Sequence, residues 1–214
     1  MTSIGYCAFQ NCTNLRSVTL PGNAITYGCA PDTVWSDSYA FSGCASLSTV
    51  ILCDGFTTIG DSMFSGCISL GEIVIPDSVT YIGSYAFGSC TSLTSIAIPD
   101  SVTSIGERAF KGCIGLTSMT VPFVGAEKDG TTNAYFNYIF DGVPQSLKTV
   151  VVTGGTSIGS YAFAECTALT SVWMADSVEM MGTHVFSDCT ALSSVDLSEN
   201  LKTVSKFSAR FKPI

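Results

Sequence analysis

A 23-residue period runs through almost the whole chain and limits the possible folds more than any other feature. The segment IPDSVTYIGSYAFGSCTSLTSI, residues 75–96, aligns without a gap on IPDSVTSIGERAFKGCIGLTSM, residues 98–119. A marker phenylalanine stands at the same point of eight successive units: Phe9, Phe41, Phe64, Phe87, Phe110, Phe140, Phe163 and Phe186. Five of the seven spacings are 23 residues, and the other two equal one period plus nine or seven residues. Such a chain folds as stacked units, because one short unit cannot bury its apolar face alone.

Each part of the unit has a structural interpretation. In LTSIAIP, residues 93–99, the apolar residues have the spacing of a short strand with one buried face, and the proline ends it. The period and the L-x-x-hydrophobic-x-hydrophobic run are typical of leucine-rich repeats. The stretch GERAFKGC, residues 106–113, predicts a single helical turn that presents Phe110 and Cys113 on one side.

The recurring phrase I-P-x-S-V-T-x-I-G-x-x-A-F-x-x-C-x-x-L resembles the BspA-like class of leucine-rich repeat, found in surface proteins of bacteria and some parasitic protists. The resemblance extends from Thr2 to Val204, and Val143 departs from it by replacing the repeat cysteine. It implies a leucine-rich repeat solenoid, a right-handed β–α superhelix of about eight 23-residue coils, each with one short parallel strand and a short helical turn opposite. It also implies adhesion or host interaction without fixing a ligand.

The predicted organisation is one repeat array over residues 1–204 and a degenerate C-terminal end over residues 205–214. Insertions are expected near residues 22–30 and 123–138. Both begin after a strand-ending proline, so we expect them at the same edge of the array. The phrase TSIG at residues 2–5 recurs in later units, so the chain opens in mid-repeat and is expected to be part of a longer protein.

Composition excludes several classes of partner. The 214 residues carry 9 basic and 17 acidic side chains, a net charge of −8. An acidic surface argues against nucleic acid or an anionic membrane as partner, because both attract clustered Lys and Arg. No apolar run approaches the ~20 residues of a membrane helix, so no direct membrane insertion is predicted. The predicted location, at the cell surface or secreted, comes from the family resemblance alone.

Seven of the ten cysteines occupy one position in successive units: Cys12, Cys44, Cys67, Cys90, Cys113, Cys166 and Cys189. We expect these ladder cysteines to be buried free thiols, because parallel side chains point into the core rather than at each other. Cys7, Cys29 and Cys53 lie off this ladder. Two alternatives stay open for them: three free thiols, or one disulfide, with Cys29–Cys53 as the leading pair.

No catalytic residue and no cofactor is predicted. The stretch GTSIG, residues 155–159, matches a nucleophile pattern, but Ser157 is in phase with Ser104, where no such pattern exists. A serine–histidine–acid triad would have to use the only histidine, His184, which is expected to be an ordinary exposed residue. The chain is therefore predicted not to be an enzyme.

Three aspartates, Asp54, Asp77 and Asp100, stand at the same turn of three consecutive units. Local capping of each turn by its own carboxylate is the preferred interpretation, since Asp bonds the backbone two residues on. The alternative is a calcium ion that relieves repulsion between the stacked carboxylates. No metal site is therefore predicted, and calcium stays open as the weaker alternative.

Function is expected on the outer surfaces, because the interior of a solenoid is structural. The outward row on the predicted concave strand face is Thr19, Ile51, Val74, Ala97, Thr120, Val151, Trp173 and Asp196. Exposed apolar rows often mark interaction surfaces, and tryptophan is over-represented at binding hot spots. The predicted binding residues of this face are Trp173, Val151, Thr120, Ile51 and Val74. The alternative is that closely spaced strands simply tolerate small residues.

The second insertion contains four aromatic residues and supplies three further predicted binding residues, Tyr135, Phe136 and Tyr138. Loops inserted in repeat arrays often serve binding, although these rings could instead pack back on the array. The predicted function is a non-catalytic protein-binding or adhesion module with a protein ligand, such as a host extracellular-matrix or surface protein. A structural spacer within a larger surface protein is the alternative.

Overall fold

The computed structural model describes residues 3–22, 25–26 and 38–205, and these residues form a stack of coils joined by parallel strands. In chain order the strands are β1 (Ser3–Ile4), β2 (Ser17–Leu20), β3 (Ile25–Thr26), β4 (Thr49–Leu52), β5 (Thr58–Ile59), β6 (Tyr81–Ile82), β7 (Ser95–Ala97), β8 (Ser104–Ile105), β9 (Ser118–Val121), β10 (Thr149–Val152), β11 (Ser157–Ile158), β12 (Ser171–Met174), β13 (Met180–Met181), β14 (Ser194–Asp196) and β15 (Thr203–Val204). The strands of three or four residues lie on one side of each coil, and the strands of two residues lie on another.

The longer strands form one face of the array. Strand β4 pairs with β2, a single bridge joins Ile51 to Val74, and a five-stranded sheet follows in the order β7-β9-β10-β12-β14. The shorter strands form three small sheets, β1-β3, β5-β6-β8 and β11-β13-β15. Consecutive coils place equivalent residues side by side, so the repeat in the sequence becomes a set of straight rows on the surface.

The third side of each coil is the turn that contains the marker phenylalanine, and it is hydrogen-bonded to the next coil as the strands are. The N–H groups of Tyr85, Phe87 and Ser89 donate to the carbonyl oxygens of Glu107, Ala109 and Lys111, at 3.2, 2.8 and 2.6 Å. The turn has two left-handed residues, with φ of 55° at Tyr85 and 58° at Ser89. Among the described residues the only helix is a four-residue 3-10 helix, Phe136–Ile139, and no helix is long and apolar enough to cross a bilayer.

The predicted helical turn on this side is therefore wrong, and the reason is the spacing of the coils. An α-helix is about 10 Å wide, whereas neighbouring strands lie about 4.8 Å apart. A turn whose N–H groups point at the next coil keeps the strand spacing on all three sides and leaves few backbone donors unpaired. The face predicted as concave carries the strands of three or four residues and is called the long-strand face below.

The marker phenylalanines form a continuous stack inside the array. Ring centroids from Phe9 through Phe41, Phe64 and Phe87 to Phe110 are 5.1, 5.8, 5.8 and 5.4 Å apart. All of these rings except that of Phe9 are fully buried. One apolar core, with the leucines and isoleucines of the strands, runs through the described array.

The ladder thiols have a hydrogen-bonding role that the sequence did not reveal. Each of five sulfur atoms lies near the carbonyl oxygen of the phenylalanine one coil earlier: Cys44–Phe9 3.1 Å, Cys67–Phe41 3.3 Å, Cys90–Phe64 3.2 Å, Cys113–Phe87 3.1 Å and Cys189–Phe163 2.9 Å. The S–H group donates a weak hydrogen bond to this oxygen. Burial raises the pKa of Cys67 and of Cys113 to about 12, so both stay protonated at neutral pH.

The prediction that every ladder thiol is buried is wrong at the two ends of the array. Cys12 is exposed and Cys189 is half-buried, whereas the other five ladder cysteines are buried. Of the three cysteines off the ladder, Cys7 and Cys53 are free, half-buried thiols. Cys29 lies outside the described residues.

The second insertion packs against the array between β8 and β11. Its residues 123–126 are all buried, and so is Phe136. Glu127 forms an antiparallel bridge to Ser104 of β8. On the other side, Oδ1 of Asp129 accepts a hydrogen bond from the N–H of Thr156 at 2.6 Å, one residue before β11. The loop thus contacts β8 on one side and the start of β11 on the other, which are the two short strands between which it is inserted.

Phe136 is a core residue, which corrects its prediction as a binding residue. It lies in the 3-10 helix and is 1% exposed. Its ring fits between Phe140 at 5.2 Å and Phe163 at 5.3 Å, and its N–H donates to the carbonyl of Ala162 at 2.6 Å. Phe140 faces the preceding coil instead, at 6.0 Å from Phe110. This coil therefore uses two phenylalanines where the others use one.

The ends and the first insertion are only partly within the described residues. Within the predicted first insertion, β3 pairs in parallel with β1, so this part continues the short-strand side. Residues 27–37 of the region before Phe41 lie outside the described residues, as do residues 206–214 of the predicted degenerate end.

Candidate functional site

The candidate site is the outward row of the long-strand face. Six neighbouring pairs in this row lie opposite each other: Thr19–Ile51, Ile51–Val74, Ala97–Thr120, Thr120–Val151, Val151–Trp173 and Trp173–Asp196. Parallel strands in register point equivalent side chains the same way. The row predicted from the sequence is therefore confirmed at these pairs.

Trp173 is the largest side chain in the row. It lies in β12 between Val172 and Met174, which are both buried, so the alternation of the strand turns its ring outward. The side chain is 40% exposed. Its neighbours in the row are Val151, which is half-buried, and Asp196, which is exposed, and both are too short to cover an indole. Covering the ring with a partner would remove apolar surface from water.

A second apolar area, the aliphatic patch, consists of Ile51, Val74 and Ala97. Ile51 is 52% exposed and Val74 is 81% exposed, and the smaller Ala97 is exposed as well. Thr120 and Val151 are half-buried and separate this patch from Trp173. The five residues predicted for this face thus lie in one row, but their exposed apolar surface is concentrated at two places.

Many hydroxyl groups beside the row hydrogen-bond to the array itself. Thr117 donates through Oγ1 to the carbonyl of Thr94, and Thr170 donates to the carbonyl of Lys148, each at 2.9 Å across one coil. These side chains add to the hydrogen bonds between coils. The abundance of Ser and Thr in the repeat therefore has a structural cause, which is not visible in the sequence alone.

The loop residues face a different side of the array. Tyr135 is exposed, and its ring meets that of the half-buried Tyr138 edge to face at 6.2 Å. The pKa of Tyr138 is raised, mainly by burial and to a smaller extent by the negative charge of Glu107. With Ser157 and Met180, Tyr135 lines a groove of about 570 Å³ along β11, β13 and β15. This groove belongs to the short-strand side, so the two parts of the predicted site do not share one surface.

The aspartates considered for calcium are exposed and do not form a metal site. Within the described part of the chain, no group of three or more His, Cys, Asp or Glu side chains could hold a metal ion. Oδ1 of Asp100 instead accepts a hydrogen bond from the hydroxyl of Thr153 at 2.6 Å.

The two side chains considered for catalysis have ordinary positions in the repeat. Ser157 is the first residue of the short strand β11, in the position that Ser104 has in β8. The ring of His184 lies on the turn side, stacked on that of Tyr161 at 5.0 Å and an angle of 4°. Each position is explained by the stacking of the coils.

Parallel strand rows, a phenylalanine stack and a recurring leucine define a leucine-rich repeat protein. Residues 1–29, 35–128 and 133–211 match the BspA type leucine rich repeat region in six copies. The chain therefore belongs to the BspA-type leucine-rich repeat family. Leucine-rich repeat arrays are typically non-enzymatic protein-interaction modules.

Solved structures of bacterial leucine-rich repeat proteins are similar to this chain. The T. pallidum leucine-rich repeat protein is 26% identical, with 89% of this chain and 71% of that chain covered and a TM-score of 0.52. The pneumococcal vaccine antigen PcpA is 20% identical, with 87% and 42% covered and a TM-score of 0.60. A leucine-rich repeat protein from Eubacterium ventriosum is 17% identical, with 92% and 61% covered and a TM-score of 0.56. The last two identities show a shared fold only, and no curated protein sequence matches the chain.

Proposed function

We propose that the chain is a non-catalytic protein-binding or adhesion module of a cell-surface or secreted protein, and that its ligand contacts the long-strand face around Trp173. The observation that carries the proposal is the outward indole of Trp173, which is 40% exposed on a row of otherwise smaller side chains. Tryptophan contributes more binding energy at protein interfaces than most residues. Thr120, Val151 and the aliphatic patch extend the surface along the same row.

The membership of the family supports both the role and the location. Leucine-rich repeat arrays are typically protein-interaction modules, and membership of the BspA-type family favours a surface or secreted protein. A host extracellular-matrix or surface protein is therefore the kind of ligand that we propose. Tyr135 and its groove on the short-strand side are a separate contact area in this proposal, because they do not adjoin Trp173.

The test measures binding of the purified chain to a panel of purified extracellular-matrix and surface proteins by biolayer interferometry. For each protein that binds, Trp173→Ala is expected to weaken the affinity by about thirtyfold, since a hot-spot residue contributes about 2 kcal/mol. Ile114→Ala is the matched control, because Ile114 is an exposed apolar residue outside both the long-strand row and the groove of Tyr135. It is expected to bind as the wild type does.

Thermal unfolding of Trp173→Ala decides between a binding residue and a core residue. We expect a loss of only about 1–2 kcal/mol of unfolding free energy, as for an aromatic ring at the end of the array, since the Trp173 side chain is 40% exposed. A variant that loses about 3–5 kcal/mol, as expected for a fully buried ring, and binds normally would show that the ring is part of the core. The proposal would then be wrong.

A structural spacer is the second candidate, and the uninterrupted stack from Phe9 to Phe186 favours it, since such a core makes a stiff rod. The same panel separates the two functions. A spacer predicts that no protein binds the wild type measurably, whereas a binding module predicts at least one ligand whose affinity depends on Trp173.

A further inference from the structure

The stretch of the array from β2 to Glu107 carries acidic side chains and no basic ones. From Ser17 to Glu107 the sequence contains eight acidic residues and no Lys or Arg: Asp32, Asp37, Asp54, Asp61, Glu72, Asp77, Asp100 and Glu107. The ion pairs found among the described residues use the cations of Arg108, Lys111 and Lys202. Between Arg16 and Arg108, therefore, no lysine or arginine is present to neutralise the carboxylates beside the aliphatic patch.

These carboxylates flank the aliphatic patch. Glu72 lies two residues before Val74 and is exposed on the same face. Asp54 and Asp77 follow the ends of the strand segments that carry Ile51 and Val74, and both are exposed. An exposed apolar strip thus runs between acidic groups, over a width of about 10 Å from Ile51 to Ala97 at the usual strand spacing.

A hollow of about 320 Å³ adjoins the patch. Its lining includes the carboxylates of Asp77 and Asp100 and three small side chains, those of Ala97, Thr120 and Thr153. Asp100 accepts one hydrogen bond, from Thr153, and a carboxylate can accept several. The hollow therefore has carboxylate oxygens that can accept further hydrogen bonds. It also has room for one long side chain that ends in a cation.

We infer that this part of the long-strand face docks an extended, cationic segment of a partner polypeptide. Aliphatic residues of the segment would cover Ile51 and Val74, and a lysine or arginine would enter the hollow between Asp77 and Asp100. The inference rests on the proposed function, because it names the chemistry of a partner for the same face. Complementary charge attracts such a segment, whereas an acidic segment would be repelled by every carboxylate around the patch.

The test uses the whole chain and three fluorescein-labelled peptides, KKVLVKK, EEVLVEE and SSVLVSS, with binding followed by fluorescence anisotropy. KKVLVKK is expected to bind at least about tenfold more tightly than the other two at low salt, and its affinity is expected to fall as salt screens the carboxylates. Equal binding of the three peptides would overturn the inference, because charge would then not select the occupant.

Two variants assign the binding to this surface. The double variant Asp77→Asn/Asp100→Asn removes the charge of the hollow while an asparagine oxygen can still accept the hydrogen bond of Thr153, and Val74→Ser removes the apolar contact. Each is expected to weaken KKVLVKK binding about tenfold at an unchanged melting temperature. Val204→Ser is the control, an exposed valine on the short-strand side, and is expected to have no effect. Unchanged affinity in both patch variants would overturn the inference.

Two further readouts separate a cationic partner from a second copy of the chain and from a ligand of Trp173 alone. If the wild type self-associates and Val74→Ser abolishes the association in analytical ultracentrifugation, a second copy occupies the patch and the inference is wrong. If Trp173→Ala abolishes binding of a panel protein while no variant affects KKVLVKK, the proposed function stands and the inference fails. If KKVLVKK binding depends on Val74 and Asp77 but no ligand depends on Trp173, the inference holds and the Trp173 proposal fails.

Discussion

Replacing Phe87 with alanine tests whether the array is a one-dimensional stack. The ring is fully buried and has a phenylalanine on each side, Phe64 at 5.8 Å and Phe110 at 5.4 Å. Both neighbours are held by their own coils, so the cavity cannot close, and Phe87→Ala is expected to cost about 3–5 kcal/mol of unfolding free energy. Phe9 is 39% exposed and stacks on Phe41 alone, so Phe9→Ala is expected to cost about 1–2 kcal/mol.

The assay is urea unfolding followed by far-ultraviolet circular dichroism, with the free energy of unfolding obtained by linear extrapolation. Phe163→Ala is the matched control inside the second half, because Phe163 is fully buried between Phe136 and Phe186. Its loss should equal that of Phe87→Ala within about 1 kcal/mol. Equal losses for Phe9→Ala and Phe87→Ala would refute the stack, since position along the array would then not matter.

Three further predictions concern the thiols and the tight contacts between coils. At pH 8 a thiol reagent should label Cys12 rapidly and Cys90 only after denaturation, because Cys12 is exposed and Cys90 is buried; rapid native labelling of Cys90 would contradict the ladder. Burial raises the pKa of Cys113 from 9.0 to about 12, so its contribution to stability is present below pH 9 and lost as the pH rises towards 12; Cys113→Ala should reduce this alkaline loss in urea titrations. Gly106→Ala should destabilise by about 1–3 kcal/mol, since the new Cβ would meet the backbone of Ser84. Gly5→Ala, at the same repeat position in the first coil, should be neutral in the same urea assay, because nothing lies within 4 Å of its Cβ.

The sequence predicted the parts of the fold that depend on period alone. The phase of the repeat placed Ile51 opposite Val74 and Trp173 opposite Val151, and the strand pairs confirm both. The length of the repeat does not show whether the N–H groups of a turn bond within a helix or to the next coil. A separation of three residues between Phe110 and Cys113 is compatible with a helical turn and with the ladder of turns that the structure has, so the helix prediction failed there.

The candidate site was predictable where side-chain direction follows from strand alternation, and unpredictable in the second insertion. Tyr135, Phe136 and Tyr138 are closely spaced aromatics in a segment without a periodic partner. Only the three-dimensional position of the 3-10 helix puts Phe136 into the stack and leaves Tyr135 exposed. The acidic residues that flank the aliphatic patch are visible in the sequence. That Asp77 and Asp100 line one hollow depends on the register of the coils, which the sequence alone does not show.

Side chains on the turn side stack on one another for a structural reason that does not apply to Trp173. In seven of the eight units the residue two positions before the marker phenylalanine has a left-handed backbone, which is unfavourable by about 1–2 kcal/mol for residues other than glycine. Tyr161 and His184 occupy this position and stack on each other at 5.0 Å, and Arg108 lies 6.0 Å above the ring of Tyr85. Stacking of this kind contributes about 0.5–1.5 kcal/mol and offsets part of the backbone cost. Among the described aromatic rings, Trp173 has no such stacking partner and sits in an unstrained strand, so the stability of the array does not account for its exposed indole.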